Sequence, residues 1–406
     1  MKKPARLWPN LIALAIGAFA IGTESYMIAG LLPTLAADLR VSVPLAGQLI
    51  TVFALAYAVG SPLLAVAAAG VDRRTLLLVS LGVFALFNTL AAAATSYGFL
   101  MLARVGLALS AGTFMPAASA YAVAAAPEKL RGRALSIIYT GLTVATVIGV
   151  PAGVIIGGRF GWRQTFMVVA GLSLVALAGL ALTLQPIRQP AAVSLRERIA
   201  IARRPDVLTA LGVTVLTLTG AFTVYSYLAP FLQATTGISG SGLAIVLFLF
   251  GAGSALGNLV SGAASDRVGP TRIVTLVLTT LIGLFALLSL AGMLLPPHVA
   301  GWFIVPMLAV WGFVGWSFPA AQQARLVAME PRLAPITLSL NASAIYLGVS
   351  LGAVIGSLIV AHGALVGLGW VGAVCETAAV GTLWWSRRRT RRQVRKPEPI
   401  PWRTAA

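Results

Sequence analysis

Continuous apolar stretches, each longer than the roughly 18 residues needed to cross a hydrocarbon core, recur along the whole chain, separated by short breaks that carry charges, Pro and Gly. Read between those breaks, the pattern predicts helices near residues 9–33, 44–69, 74–95, 98–125, 133–158, 163–185, 207–234, 241–265, 271–294, 299–324, 334–360 and 364–386. Such runs predict an all-α polytopic membrane protein of twelve transmembrane helices. A spanning β-barrel would instead show alternating segments of about ten residues. Lys2, Lys3 and Arg6 precede the first stretch, which continues through Glu24 to Pro33 without a small-residue cleavage site, so it reads as a retained span and not a signal peptide.

Composition agrees with a core built in lipid. Of 406 residues 59% are hydrophobic and 10% charged, with a mean hydropathy of +0.93, against about 25% charged in a soluble domain. The net charge of +19 raises nucleic acid as a partner, and the placement of the charge argues against it. Of the 29 Lys and Arg, all but Arg40, Arg104, Arg159 and Arg163 fall in the termini and one alternate set of loops. That asymmetry is the positive-inside signature of an even number of spans with both termini in the cytoplasm. The run Arg387-Arg388-Arg389-Thr390-Arg391-Arg392 then faces anionic headgroups as a topology anchor. Trp8, Trp162, Trp302, Trp370, Trp384 and Trp385 fall at span ends, as an aromatic belt requires. Cys375 is the only cysteine, which excludes an intramolecular disulfide and a cysteine metal cluster.

A more polar stretch with Pro186, Pro190, Pro205 and five arginines divides the chain. The resulting units are 1–185, a six-helix half; 186–206, a cytoplasmic linker; 207–386, a second six-helix half; and 387–406, a basic tail. The halves echo each other. Gly17-Ala18-Phe19 recurs as Gly220-Ala221-Phe222, and Gly149 and Gly153 recur as Gly352 and Gly356, all at an offset of 203. Parallel repeats of this kind point to one transporter architecture.

Gly262-x-x-x-Asp266-Arg267-x-Gly269-x-x-Arg272, between the eighth and ninth helices, resembles the loop signature of the major facilitator superfamily. Its counterpart is the degenerate Gly70-Val71-Asp72-Arg73-Arg74. Here Gly lets helix ends approach, while Asp and Arg bond to neighbouring helix termini. Gly149-Val150-Pro151-Ala152-Gly153 looks like the fifth-helix motif of the antiporter branch, with small residues four apart for close packing and Pro to bend the helix. Gly22-Thr23-Glu24-Ser25-Tyr26-Met27-Ile28-Ala29-Gly30-Leu31-Leu32-Pro33, with Leu102-Ala103-Arg104 and the run from Leu247 to Ser254, is similar to bacterial drug:proton antiporters of the arabinose and chloramphenicol efflux type. The resemblance implies the major facilitator fold in a bacterial inner membrane, acting as a monomer with a central cavity between the halves. It further implies export of a small amphiphilic molecule against entering protons by alternating access, with Asp72, Arg73, Gly149, Pro151, Gly153, Asp266 and Arg267 as conformational motif residues, and no cofactor or metal.

Three formal charges fall inside the predicted spans away from their ends: Glu24, Arg104 and Glu376. Each costs at least ~2.5 kcal/mol at the bilayer centre and so needs a reason. Counted from Pro33 and Gly98, Glu24 and Arg104 lie about 13 Å and about 9 Å below the same face, so they can meet. The resemblance places their helices side by side at the cavity, which makes Glu24 the expected proton carrier and Arg104 its partner. The cavity-lining helices of that fold supply Tyr57, Tyr139, Tyr225, Trp311, Asn341 and Tyr346 as expected substrate contacts, suited to an apolar, partly aromatic ligand. Glu376 receives no role.

Gly348-Val349-Ser350-Leu351-Gly352 matches a nucleophile-elbow pattern but lies in an apolar helix instead of a strand-turn-helix, so an enzyme is not expected. No phosphate-binding Gly-x-x-x-x-Gly-Lys sequence supports ATP-driven transport. The alternative within transporters is a proton-coupled importer of a sugar or metabolite.

Overall fold

The computed structural model describes residues 7–187, 194–329 and 331–394, and every regular element among them is helical. In chain order these are α1 (Leu7–Asp38), α2 (Val43–Ala67), α3 (Arg73–Ala92), α4 (Tyr97–Ala125), α5 (Arg131–Val144), α6 (Val150–Phe160) and α7 (Trp162–Thr183). After the short α8 (Leu195–Ala202) come α9 (Pro205–Tyr225), α10 (Leu228–Thr236), α11 (Gly240–Val268), α12 (Pro270–Leu294), α13 (Pro297–Met329), α14 (Ala334–Ala361) and α15 (Gly367–Val394).

Eleven helical stretches among the described residues are long and apolar enough to cross a membrane, α5 and α6 counting together. The chain is a multi-pass membrane protein. The twelfth helix, α15, is not among the eleven, since it carries Glu376 and a basic end. It nevertheless packs along α9 and α12 as a member of the bundle.

Proline explains the two interruptions. Pro151 lacks an N–H and crowds the carbonyl four residues back, at Val147. That carbonyl lies inside the wide π turn Ala145–Gly149 that joins α5 to α6. Pro230 crowds Ser226 in the same way, and there the seventh predicted helix, expected to run unbroken over 207–234, divides into α9 and α10. Pro33, expected as the end of the first helix, leaves α1 unbroken to Asp38. Within the polar linker, Ser194 and Glu197 form a reciprocal capping box that starts α8. Positions 188–193 of that linker, and the tail beyond 394, lie outside the described residues.

Packing sorts the helices into two sets. In the first, α1 lies against α2, α5 and α7, and α3 against α4 and α7; in the second, α9 lies against α14 and α15, and α12 against α13 and α15. The sets meet along α2 with α14 and along α6 with α11. The hydrogen bonds across the α2–α14 seam run from Ser350 Oγ to the Thr51 carbonyl, 3.3 Å, and from Ser357 Oγ to the Pro44 carbonyl, 3.0 Å. Both lie toward the face away from the linker, where they join the two sets. On the linker face α8 bridges the sets by touching α2 and α14, with Arg198 donating to Ser339 Oγ at 2.9 Å.

Candidate functional site

Glu24, midway along α1, and Arg104, near the start of α4, have no exposed surface and form an ion pair in which Arg104 Nη1 donates to Glu24 Oε1. Two further contacts fix the guanidinium. Its Nε donates to the Leu49 carbonyl on α2 at 3.1 Å, and it stands 4.2 Å from the ring centroid of Phe53. The structure thus brings together the two charges that the sequence placed at similar depth, although α1 overhangs the far face beyond Pro33. Burial of such a pair is tolerable only when its lone pairs and protons find partners. Here Glu24 Oε2 and Arg104 Nη2 have none among the described residues. One carboxylate oxygen therefore remains open to accept a proton.

Beside the pair lies a layer of rings that spans both sets at mid-depth. Tyr57 on α2 stacks on Tyr346 of α14 with centroids 3.6 Å apart, and Phe53 lies 6.3 Å from the same ring. Tyr26 on α1 meets Phe222, Tyr225 and Trp316 of the second set at 6.5, 6.4 and 5.8 Å. Tyr225 continues to Trp311 at 6.3 Å. Two positions along a helix differ by about 200° in direction, so α1 turns Glu24 toward α4 and Tyr26 toward the second set. Sliding of one set past the other has to rearrange these rings.

Of the expected substrate contacts, Tyr57, Tyr225, Trp311 and Tyr346 belong to this layer. Tyr139, on the linker side of α5, is 42% exposed. Asn341 lies apart from the rings: its Oδ1 accepts from Thr214 at 2.7 Å, and Gln322 Nε2 donates to the same threonine at 3.1 Å.

The motif residues take two kinds of place. Asp72 caps α3 by accepting from Thr75 N–H at 3.0 Å and from Thr75 Oγ1 at 2.6 Å. Those bonds, the hydroxyl's first, hold its carboxyl below the usual carboxylate range. Arg73 Nη1 donates to the Ala120 carbonyl at 2.8 Å and so ties α3 to α4. Asp266 and Arg267, in the last turn of α11, are exposed and bond to no other described residue. Gly149 and Gly153 lie against Thr23 and Met27 of α1, where a Cβ would approach to 2.0 and 3.3 Å. Pro151 stands between them at the start of α6, just past the π turn.

A model of the Major Facilitator Superfamily matches residues 14–352 and, again, 210–405. The chain belongs to the major facilitator superfamily. It is 34% identical over 384 residues to the uncharacterized MFS-type transporter YtbD of Bacillus subtilis (strain 168), covering 93% of this chain and 95% of that one. It is also 33% identical over 354 residues to the inner membrane transport protein YdhP of Escherichia coli (strain K12), covering 87% and 89%. Among solved structures, the fold matches a D-xylose-proton symporter with a TM-score of 0.76 at 14% identity over 93% and 97% of the two chains. It also matches an inward-facing, occupied bacterial homolog of the human lysosomal transporter Spinster at 0.70 and 20% over 96% and 98%.

For this transporter of the superfamily, sequence reasoning missed Tyr26, Phe53, Phe222 and Trp316 as members of the ring layer. The signal was present for Tyr26, two residues from a charged position on a buried helix. Trp162 departs from the expected belt. It is 2% exposed and donates to Asp38 Oδ2 at 3.0 Å, whereas Trp8, Trp302, Trp370, Trp384 and Trp385 are exposed.

Proposed function

We propose that this transporter is a proton-coupled antiporter that exports small amphiphilic molecules by alternating access, with its termini and linker in the cytoplasm. The observation that carries the reading is the buried Glu24–Arg104 pair with its open Oε2. Protonation at that oxygen discharges Glu24 and leaves Arg104 without its counter-ion. The loss of that attraction biases α1 against α4 and α2, and α1 also carries Tyr26 into the ring layer. A proton and a substrate are then linked through one helix, as coupling requires when each binds the two conformations unequally. The rings favour flat or amphiphilic substrates, held by shape with few polar bonds.

The test is transport in proteoliposomes with an imposed proton gradient, across a panel of radiolabelled amphiphiles and sugars. Glu24→Gln fixes the discharged form. It is expected to abolish gradient-driven transport while counterflow exchange of the same substrate persists. Full gradient-driven transport by Glu24→Gln would remove Glu24 from the coupling step, and accumulation along the proton gradient by the unaltered protein would make it an importer.

A further inference from the structure

Arg325 has a place that the sequence reading did not assign to it. Counted as a loop charge beyond the tenth predicted helix, it lies inside α13, which continues to Met329, and only 6% of it is exposed. Its one hydrogen bond runs from Nη1 to Gln322 Oε1 at 3.3 Å, and none of the ion pairs among the described residues includes it. A buried guanidinium with no carboxylate paired to it among the described residues is suited to another anion.

Beside it is a cavity of about 350 Å³, lined by Arg325, Arg387, Ser386, Thr271 and Pro270 among others, with no acidic side chain among the described residues that line it. Pro270 and Thr271 are the first two residues of the 25-residue α12, whose N-terminal end carries partial positive charge and an unused N–H at Thr271. Two arginines and a helix N-terminus therefore converge on one space. The level of the cavity identifies the source of the anion. Trp384 and Trp385, just before Ser386 and Arg387 on α15, are 54% and 45% exposed, as befits rings at the headgroup boundary.

We propose that this cavity binds the phosphate of an anionic phospholipid headgroup. Such a phosphate pairs with the buried Arg325 and with Arg387 at the rim. It thereby joins the ladder in which Gln322 donates to the Ala210 carbonyl at 2.8 Å and to Thr214, and Thr214 to Asn341. The lipid braces α12, α13 and α15 against α9 and α14 at the linker end of the second set.

The experiment titrates phosphatidylglycerol, phosphatidylcholine or inorganic phosphate into the purified, delipidated full chain. Bound lipid is read by native mass spectrometry and stabilisation by thermal melting. Phosphatidylglycerol is expected to be retained and to raise the melting midpoint, with about fivefold weaker binding in the surface variant Arg387→Gln and a larger loss in Arg325→Gln. Equal binding of phosphatidylcholine, the full effect from inorganic phosphate alone, or unchanged phosphatidylglycerol binding in Arg387→Gln would each overturn the proposal. Since Arg387→Gln leaves Glu24 and the ring layer untouched, this outcome is read independently of the coupling test.

Discussion

Glu24 on α1 and Glu376 on α15 are both carboxylates without exposed surface, one in each six-helix set, and their surroundings differ. Glu24 faces a guanidinium that is itself held by a carbonyl and a ring. Glu376 faces α9, where a Cβ at Gly220 would stand 3.3 Å from its Oε1; its polar neighbour there is the neutral Thr217 hydroxyl, and none of the ion pairs among the described residues includes it. The first set therefore builds an electrostatic unit in which each charge depends on the other. The second leaves a carboxyl beside a neutral hydroxyl, with no cation among the described residues paired to it. A burial map alone would call the two glutamates equivalent, and only the inventory of partners separates them.

The largest effect expected from this contrast comes from breaking the compensated unit. Arg104→Ala leaves a buried charge alone and should cost about 3–5 kcal/mol, seen as a lower midpoint in thermal melting of the purified transporter. Glu376→Gln removes a group that no charge supports, so its midpoint should stay or rise. Comparable losses in the two variants would mean that Glu376 has a counterpart in the membrane, and the contrast would collapse.

A second comparison concerns the glycine seams. Gly141, Gly149, Gly153 and Gly157 meet Ala15, Thr23, Met27 and Leu31 of α1 in parallel register. Gly348, Gly352 and Gly356 meet α9 at Val215, Thr219 and Thr223 in the same manner. The neighbours are not equally yielding. A Cβ at Gly149 meets a threonine side chain, Thr23 Oγ1 at 2.0 Å, which can turn aside; at Gly352 it meets backbone, the Thr219 carbonyl at 2.5 Å and the Thr223 nitrogen at 2.8 Å. Overpacking of this kind costs about 1–3 kcal/mol, so Gly352→Ala should lie toward the upper end and Gly149→Ala toward the lower in the same melting assay. The reverse order would show that α1 is the more rigid partner.

These seams also mark how much was legible from the chain. Helix number and order followed from apolar runs, because lipid demands continuous stretches of a fixed length. The spacing of Gly149 and Gly153 marked a close helix approach, and its recurrence at Gly352 and Gly356 marked the repeat; which helices they meet came from the packing. The Glu24–Arg104 pair was legible because charges inside spans are few. Tyr26 and Trp316 were not, as aromatic residues are common in apolar helices and only the packing of the two sets decides which rings meet. Arg325 escaped for a different reason: α13 runs five residues past its expected end at 324, to Met329, and a charge near a helix end looks like a loop charge until its surroundings are known. The same uncertainty of ends misplaced Pro33 and hid the division at Ser226.

The smallest effect distinguishes the two loop motifs. Asp72 is the N-cap of α3 and accepts from Thr75, whereas Asp266 stands in the last turn of α11, where the helix end is already partly negative. Asp72→Ala should cost about 1 kcal/mol, and Asp266→Ala should leave stability unchanged or slightly raise it. The pH dependence has a definite sign. Because the Thr75 bonds hold the folded carboxyl of Asp72 below its unfolded value, its stabilising contribution is complete above the ordinary aspartate range of about 4. That contribution is lost as the pH falls through the lower folded value. Asp72→Asn keeps a good cap that does not titrate over that range, so wild type should lose more stability than Asp72→Asn between neutral pH and the acid limit of the folded protein. Melting curves of wild type, Asp72→Asn and Asp72→Ala at a series of pH values measure this directly. Parallel curves for wild type and Asp72→Asn would show that the carboxylate charge contributes nothing beyond the shape of the cap, which would place the Asp72 loop beside the unbonded Asp266 loop instead of apart from it.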